Sequence, residues 1–220
     1  MKKAEAVIFD MDGTLYNFPD GLSFSQSPFG AQVRQNVQQF IGREFKLDDI
    51  QSVERYDVLS KRYDGEMSMG LEREFGIDRM RFFAETWNIE PSKFIHPVPG
   101  VRQAIESIDA KPILLSAAPR VWTDRALGFM ALADVFEDRI FTGEPDIRKP
   151  NPAIFTKILD TYGLNADRVV SIGDQEYSDI APAKRLGMIA VKIGITETMA
   201  DFAARDVVGA INILQGRSIL

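Results

Sequence analysis

The stretch Ala6-Val7-Ile8-Phe9-Asp10-Met11-Asp12-Gly13-Thr14-Leu15 decides how this chain is read. Four apolar residues, Ala6 to Phe9, run directly into two aspartates one residue apart. An uninterrupted apolar run of this length fits a strand covered on both faces, as in a parallel sheet. Two carboxylates about 4 Å apart repel by roughly 4 kcal/mol at an effective dielectric near 20. A fold that keeps Asp10 and Asp12 together therefore needs a cation between them, or one of them protonated.

Four more apolar runs read as strands of the same kind: Ile113–Ser116, Arg139–Thr142, Val169–Gly173 and Ile189–Ile193. Helical patterns separate them, over 101–108, 121–130 and 151–163. In the last, Asn151 suits the cap, Pro152 the first turn and Gly163 the stop, with Ile154, Ile158, Leu159 and Tyr162 as one stripe. Strand–helix alternation predicts right-handed crossovers and a parallel α/β sheet.

Residues 16–95 break this alternation and show no strand pattern. Val33, Val37, Phe40 and Ile41 recur at helical spacing, and further helical patterns cover 48–63 and 78–88. In the latter, Met80, Phe83, Ala84 and Trp87 fall on one side. The expectation is a Rossmann-like α/β core from residues 1–17 and 96–220, with helices on both faces, and an all-helical insert over 18–95. His96-Pro97-Val98-Pro99-Gly100 would be the second hinge, with His96 a hinge or surface residue.

The composition narrows the chemistry. The 220 residues are 45% hydrophobic and 26% charged, with net charge −6, which argues against a nucleic-acid polymer as partner. No apolar run reaches the roughly 18 residues of a membrane span. The beginning Met1–Val7 has no long apolar segment before its first acid, so no signal peptide is expected and the cytoplasm is the expected location. There is no cysteine, which removes disulfides, thiolate nucleophiles and cysteine zinc sites.

Ligands of parallel α/β sheets sit at the carboxyl ends of the strands. Asp10 and Asp12 follow the first strand, Ser116 and Ala117 the second, Lys149 the third, and Asp174 and Asp179 the fourth. The all-oxygen acid set suits Mg²⁺, and Ser116, nearby amides and Lys149 suit a phosphate. A carboxylate is then the available nucleophile, and aspartate forms aspartyl-phosphates. A calcium loop is disfavoured, because Leu15 and Gly21 stand where that loop needs Gly and Glu. Neither a P-loop signature nor a dinucleotide-binding glycine motif is present.

These motifs, Asp10–Leu15, Ile113–Ser116, Lys149 in Arg148-Lys149-Pro150-Asn151-Pro152, and Gly173–Asp179, resemble the four motifs of the haloacid dehalogenase-like hydrolase superfamily. The resemblance spans nearly the whole chain. It implies Asp10 as nucleophile and Asp12 as acid/base. It implies Mg²⁺ held by Asp10, the Asp12 main-chain carbonyl and Asp174, with Asp179 an additional acid near the metal. Ser116, the Ala117 segment and Lys149 would bind phosphate, and the insert would be a subclass I cap. Ala117 stands where that family often has Asn, and Ser178 where it often has Asn before the last acid.

Within the insert, 62–78 is similar to a cap segment of pyrimidine 5′-nucleotidase-like members. The alternative is that Gly65 and Gly70 merely break two cap helices. Phe75 and Trp87 are expected in the cap core, while Tyr63, Glu66 and Ser68 are expected to face the cleft. The expected activity is a phosphatase acting on a small phosphate monoester, with a nucleoside 5′-monophosphate preferred. Phosphoglycolate- or sugar-phosphate-type phosphatase, phosphomutase and non-catalytic phosphometabolite sensor are the alternatives.

Overall fold

The computed structural model describes residues 2–18, 22–144, 146–194 and 197–220. Gly21, weighed above in the calcium-loop comparison, lies outside the described residues.

In chain order the elements are β1 (Ala6–Phe9), β2 (Tyr16–Asn17), α1 (Pro28–Phe45), α2 (Asp49–Arg62), α3 (Met67–Phe75), α4 (Arg79–Thr86) and β3 (His96–Pro97). There follow α5 (Val101–Glu106), β4 (Lys111–Leu115), α6 (Arg120–Phe129), α7 (Ala133–Phe136), β5 (Ile140–Phe141) and α8 (Ala153–Tyr162). The chain ends with β6 (Val169–Gly173), α9 (Ala181–Arg185), β7 (Ile189–Ile193), β8 (Phe202–Ala204) and α10 (Val207–Gly216).

Six strands form one sheet in the order β5-β4-β1-β6-β7-β8, and every pairing is parallel. The alternation of side chains along β1 explains why both faces are covered. Val7 and Phe9 join a large apolar cluster with Trp122, Phe136 and Leu214, whereas Ala6 and Ile8 join a second with Ile154, Phe155 and Ile158. Each of those α8 side chains contributes about 1.5–3 kcal/mol by its burial. α8 starts slightly later than expected, with Pro152 rather than Asn151 at the cap position. Asn151 Oδ1 still accepts from the Ala153 amide at 3.0 Å, and Gly163, as expected, takes the left-handed conformation that ends the helix.

Among the described residues, the main sheet takes no strand from between Asn17 and His96. That segment instead holds α1 to α4, of which α1, α2 and α4 start on side-chain caps. Ser27 Oγ accepts from the Gly30 amide, Asp48 from Gln51 and Asp78 from Arg81. Phe29 of α1 stacks on Trp122 of α6 at 4.0 Å, so the helical unit shares the apolar cluster of one sheet face.

Several expectations need correction. Residues 16–95 do contain a strand: β2 pairs antiparallel with β3 where the chain enters and leaves the helical unit. Two residues are too few to show a period. Exposed His96 lies in this ribbon. The buried side of α4 is Arg79, Phe82, Phe83 and Thr86, while Met80 and Ala84 face out. Phe75 is at the surface, 36% exposed, packed edge-on to Phe45. Gly65 does interrupt the helices, at φ +82°, but Gly70 lies inside α3. A Cβ at Gly70 would fall 2.2 Å from the Tyr63 ring, so this glycine permits close packing rather than a break.

Candidate active site

The carboxyl ends of β1, β4 and β6 gather the acids around one lysine. Asp10 follows β1 directly, and its amide extends the ladder to the Ile172 carbonyl at 2.9 Å. Lys149 Nζ donates to Asp10 Oδ1 at 2.6 Å, and Thr14 Oγ1 donates to Asp10 Oδ2 at 3.1 Å. Lys149 Nζ also lies 2.6 Å from Asp179 Oδ1. All three side chains are buried. Burial pushes the Asp10 carboxyl well above the usual carboxylate range, and Lys149 pulls against it. For Lys149, burial pulls the ammonium down, but Asp10 and Asp179 outweigh this and leave it above the ordinary lysine value.

Asp12 does not share that lysine bond. Tyr16 donates its hydroxyl to Asp12 Oδ1, and Ser116 Oγ donates to Oδ2 at 3.0 Å. Trp122 Nε1 in turn donates to the Tyr16 oxygen at 3.2 Å. Burial raises the Asp12 carboxyl, while the bonds from Tyr16 and Ser116 favour its ionised form. Ser116 Oγ also accepts from the Ala118 amide at 3.0 Å, so this hydroxyl is engaged on both sides. Nothing in the sequence flagged Tyr16 or Trp122; a tyrosine four residues after an acid reads as an ordinary core residue.

Asp174 and Asp179 come from the turn after β6, which runs into a π-helical segment, Glu176–Ile180. Asp179 Oδ2 accepts from the Gln175 amide at 2.9 Å. Asp174 Oδ1 is buried and has no hydrogen-bond partner among the described residues. Burial first, then the Asp179 charge, raises the Asp174 carboxyl to about 6. Lys192 of β7 donates to the Asp174 main-chain oxygen, a contact the apolar run Ile189–Ile193 had concealed. Gly13 is needed beside this acid. Its φ is +83°, and a Cβ there would lie 2.6 Å from Asp174 Oδ2.

Two cavities meet at this rim. A smaller one of about 220 Å³ touches Asp10, Asp12, Ala117, Lys149 and Ser178. A larger one of about 380 Å³ runs toward the helices and touches Lys149, Ala117, Arg34, Glu66, Ser68 and Arg148. Phe24 and Trp87 line both and are stacked on each other at 5.6 Å. Glu66 and Ser68 thus lie in the larger cavity, and Glu66 pairs with Arg148. Tyr63 does not line it. The Tyr63 hydroxyl donates to Glu74 Oε2 at 2.6 Å, and the residue lines a separate surface depression with Arg62 and Glu74. The close approach of Gly70 to the Tyr63 ring holds it there.

A family model described as haloacid dehalogenase-like hydrolase matches residues 4–187. The chain belongs to the haloacid dehalogenase-like hydrolase family. A phosphorylated carbohydrates phosphatase of Thermotoga maritima is 24% identical over 226 residues, covering 98% of this chain and 96% of that protein. A phosphoglycolate phosphatase of Rhodospirillum rubrum is 26% identical over 206 residues, covering 85% of this chain and 78% of that protein. The crystal structure of a phosphatase of the family from Thermococcus onnurineus superposes with TM-score 0.67 at 23% identity, over 98% of this chain and 99% of that one. This hydrolase is an enzyme, and its class, phosphoric monoester hydrolase, agrees with the names of these relatives.

Members of the family generally use Mg²⁺, and the rim of this hydrolase fits one. Asp10, Asp174 and Asp179 each offer a carboxylate oxygen within 4.8 Å of the others. The orphaned Asp174 Oδ1 is the donor that Lys149 leaves unserved. Mg²⁺ takes oxygen ligands, usually one or two carboxylates together with waters and substrate phosphate, and this all-oxygen set can supply them. Among the described residues no helix is long and apolar enough to cross a membrane.

Proposed function

We propose that this hydrolase cleaves small phosphate monoesters through an aspartyl-phosphate on Asp10, with the helical unit over 18–95 acting as the cap that selects the leaving group. The observation that carries this reading is the contrast between the two acids that follow β1. Asp10 lies against Lys149 and lines the smaller cavity, and Asp12 lines the same cavity bonded to the hydroxyls of Tyr16 and Ser116.

The roles follow from those contacts. An Asp10 oxygen attacks phosphorus as the bond to the leaving oxygen breaks, and Asp12 gives its proton to the departing alkoxide. Water then attacks the phosphoryl group, its proton passes to Asp12, and Asp10 is released. Burial favours the protonated Asp12 that the first half needs. The hydroxyls of Tyr16 and Ser116 favour the ionised Asp12 that the second half needs. Lys149 neutralises Asp10 at rest, and in this reading it and the Ala117 segment, which line the same cavity, bind the phosphate oxygens. Mg²⁺ would be held by Asp10, Asp174 and the Asp12 main-chain oxygen, with Asp179, which is paired with Lys149, as an additional acid of the cluster. When bound, it would draw off charge from the phosphoryl oxygens and from the crowded acids.

The leaving group in this reading is a small sugar- or hydroxyacid-type alcohol. The names of the full-length relatives support it, as does the polar wall of Ser68, Glu66 and Arg148 in the larger cavity. The preference for a nucleoside 5′-monophosphate rested on Tyr63, Glu66 and Ser68 together at the cleft. Glu66 and Ser68 line the larger cavity, but Tyr63, the aromatic member, faces elsewhere. A cytoplasmic setting, where such metabolites occur, goes with this reading. Phosphate release with Mg²⁺ over sugar phosphates, phosphoglycolate, UMP, CMP and AMP tests it. Nucleotides outranking all smaller esters in kcat/KM would reverse the choice of substrate. Transfer to a second hydroxyl instead of water would make it a mutase, and binding without turnover a sensor.

A further inference from the structure

We propose that Arg34 binds a second anionic group on the substrate, at the far end of the leaving group from the phosphate; this rests on the phosphatase reading above. Arg34 lies on α1 beside Val33 and Val37, whose side chains are buried, and it lines the larger cavity together with Lys149. The three cations of that cavity are held differently. Lys149 is committed to Asp10 and Asp179, and Arg148 is paired with Glu66. Among the described residues Arg34 makes one hydrogen bond, from Nη2 to the Ser25 carbonyl at 3.4 Å, and no ion pair. It is exposed rather than packed.

The charge balance points the same way. Among the described residues lining the cavity, Lys149 is offset by Asp10 and Asp179 and Arg148 is paired with Glu66, which leaves the Arg34 guanidinium as the surplus positive charge of the wall in a protein whose net charge is −6. A neutral alcohol would gain nothing from that surplus once its phosphate is bound at the rim. A carboxylate or a second phosphate would gain, because a guanidinium matches either with two parallel hydrogen bonds. Phe24, Phe82 and Trp87 supply apolar wall in the same cavity, so the polar ends of the ligand belong at Lys149 and at Arg34.

The test uses the full chain with Mg²⁺ and compares kcat/KM on phosphoglycolate, a hexose bisphosphate and a hexose monophosphate. The wild type is expected to prefer one of the two doubly anionic esters over the monophosphate by at least tenfold. Arg34→Gln is expected to remove most of that preference through KM, and Arg34→Lys to keep part of it. Which ester loses more tells a carboxylate from a second phosphate. Equal wild-type kcat/KM on all three, or an unchanged preference in Arg34→Gln, overturns the assignment while leaving the phosphatase reading intact. No turnover of any ester by the wild type would overturn both.

Discussion

Lys149 and Arg34 line the same cavity but are held in opposite ways. Lys149 is buried between two carboxylates at 2.6 Å each, while exposed Arg34 has one long bond to a carbonyl. The contrast extends to the regions they stand for. At the rim of the sheet, Asp10, Asp12 and Asp179 all have fixed partners, and the donors come from the ends of rigid strands or the turns after them. The cap wall is aromatic and loosely polar, with Phe24 on Trp87 and Glu66 on Arg148. A rim so constrained suits one chemistry. A wall built from helix faces can change its side chains without disturbing that chemistry. If this division is right, rim substitutions act on kcat across all substrates, and cap substitutions act on KM for some.

The largest effect should come from Asp10→Asn. An amide cannot form the acyl-phosphate, so turnover of every ester should fall by several orders of magnitude. Lys149 keeps Asp179 as a partner, so the fold should persist by circular dichroism. Next is Asp12→Asn, which removes the proton donor and acceptor and should lower kcat by about 10²–10⁴-fold with alkyl esters. A change confined to KM would contradict the role given to Asp12.

The metal site can be read without turnover. Mg²⁺ at about a hundred times its Kd should stabilise the wild type by about 2.7 kcal/mol, and Asp174→Ala should respond far less at the same concentration. The sign with pH is also fixed. The Asp174 carboxyl is raised to about 6 in the fold, so it favours the folded state when protonated. Its contribution is therefore lost as pH rises from about 4 through about 6. In EDTA, Asp174→Asn should stabilise the protein more at pH 7 than at pH 4.5, and Mg²⁺ should erase the difference. A thermal-melt series checks both.

Smaller effects are expected where the cap meets the rim loop. Arg79 of α4 is buried and reaches the Glu144 carbonyl and, at 3.2 Å, Asp146. Arg79→Met should cost about 1–3 kcal/mol, read from denaturant midpoints. Glu66→Gln should do least. Its partner Arg148 is mostly covered but Glu66 is 48% exposed, and such pairs contribute about 0.2–1 kcal/mol. A several-fold change in KM with kcat preserved is the expected result. A large loss of kcat in Glu66→Gln would erase the division between rim and wall.

The same division explains what the sequence made legible. Asp10, Asp12, Ser116 and Asp174 stand at or just after the end of an apolar run, so the runs themselves located them in the sequence, whereas Asp179 and Lys149 come further along their loops. β4 starts earlier than expected only because Lys111 and Pro112 do not look like strand residues. β8 and the β2–β3 ribbon are too short to carry a period. Tyr16, Trp122 and Lys192 escaped notice because their roles arise from contacts across the fold, 106 residues apart in the case of Tyr16 and Trp122. In the cap, helix existence was legible but orientation was not. Gly70 turns Tyr63 outward by a close ring contact that no spacing rule contains, and Phe75 falls on the outer side of its short helix.

The most direct test of the account is to look for the phosphoryl group on Asp10. An aryl phosphate has a leaving group that needs little protonation, so Asp12→Asn should still be phosphorylated by it but should hydrolyse the adduct slowly. Acid quench followed by peptide mass spectrometry should then find the phosphoryl group on the peptide carrying Asp10, and nowhere in Asp10→Asn. Rapid turnover by the wild type with no adduct in Asp12→Asn, or an adduct on another residue, would contradict the mechanism.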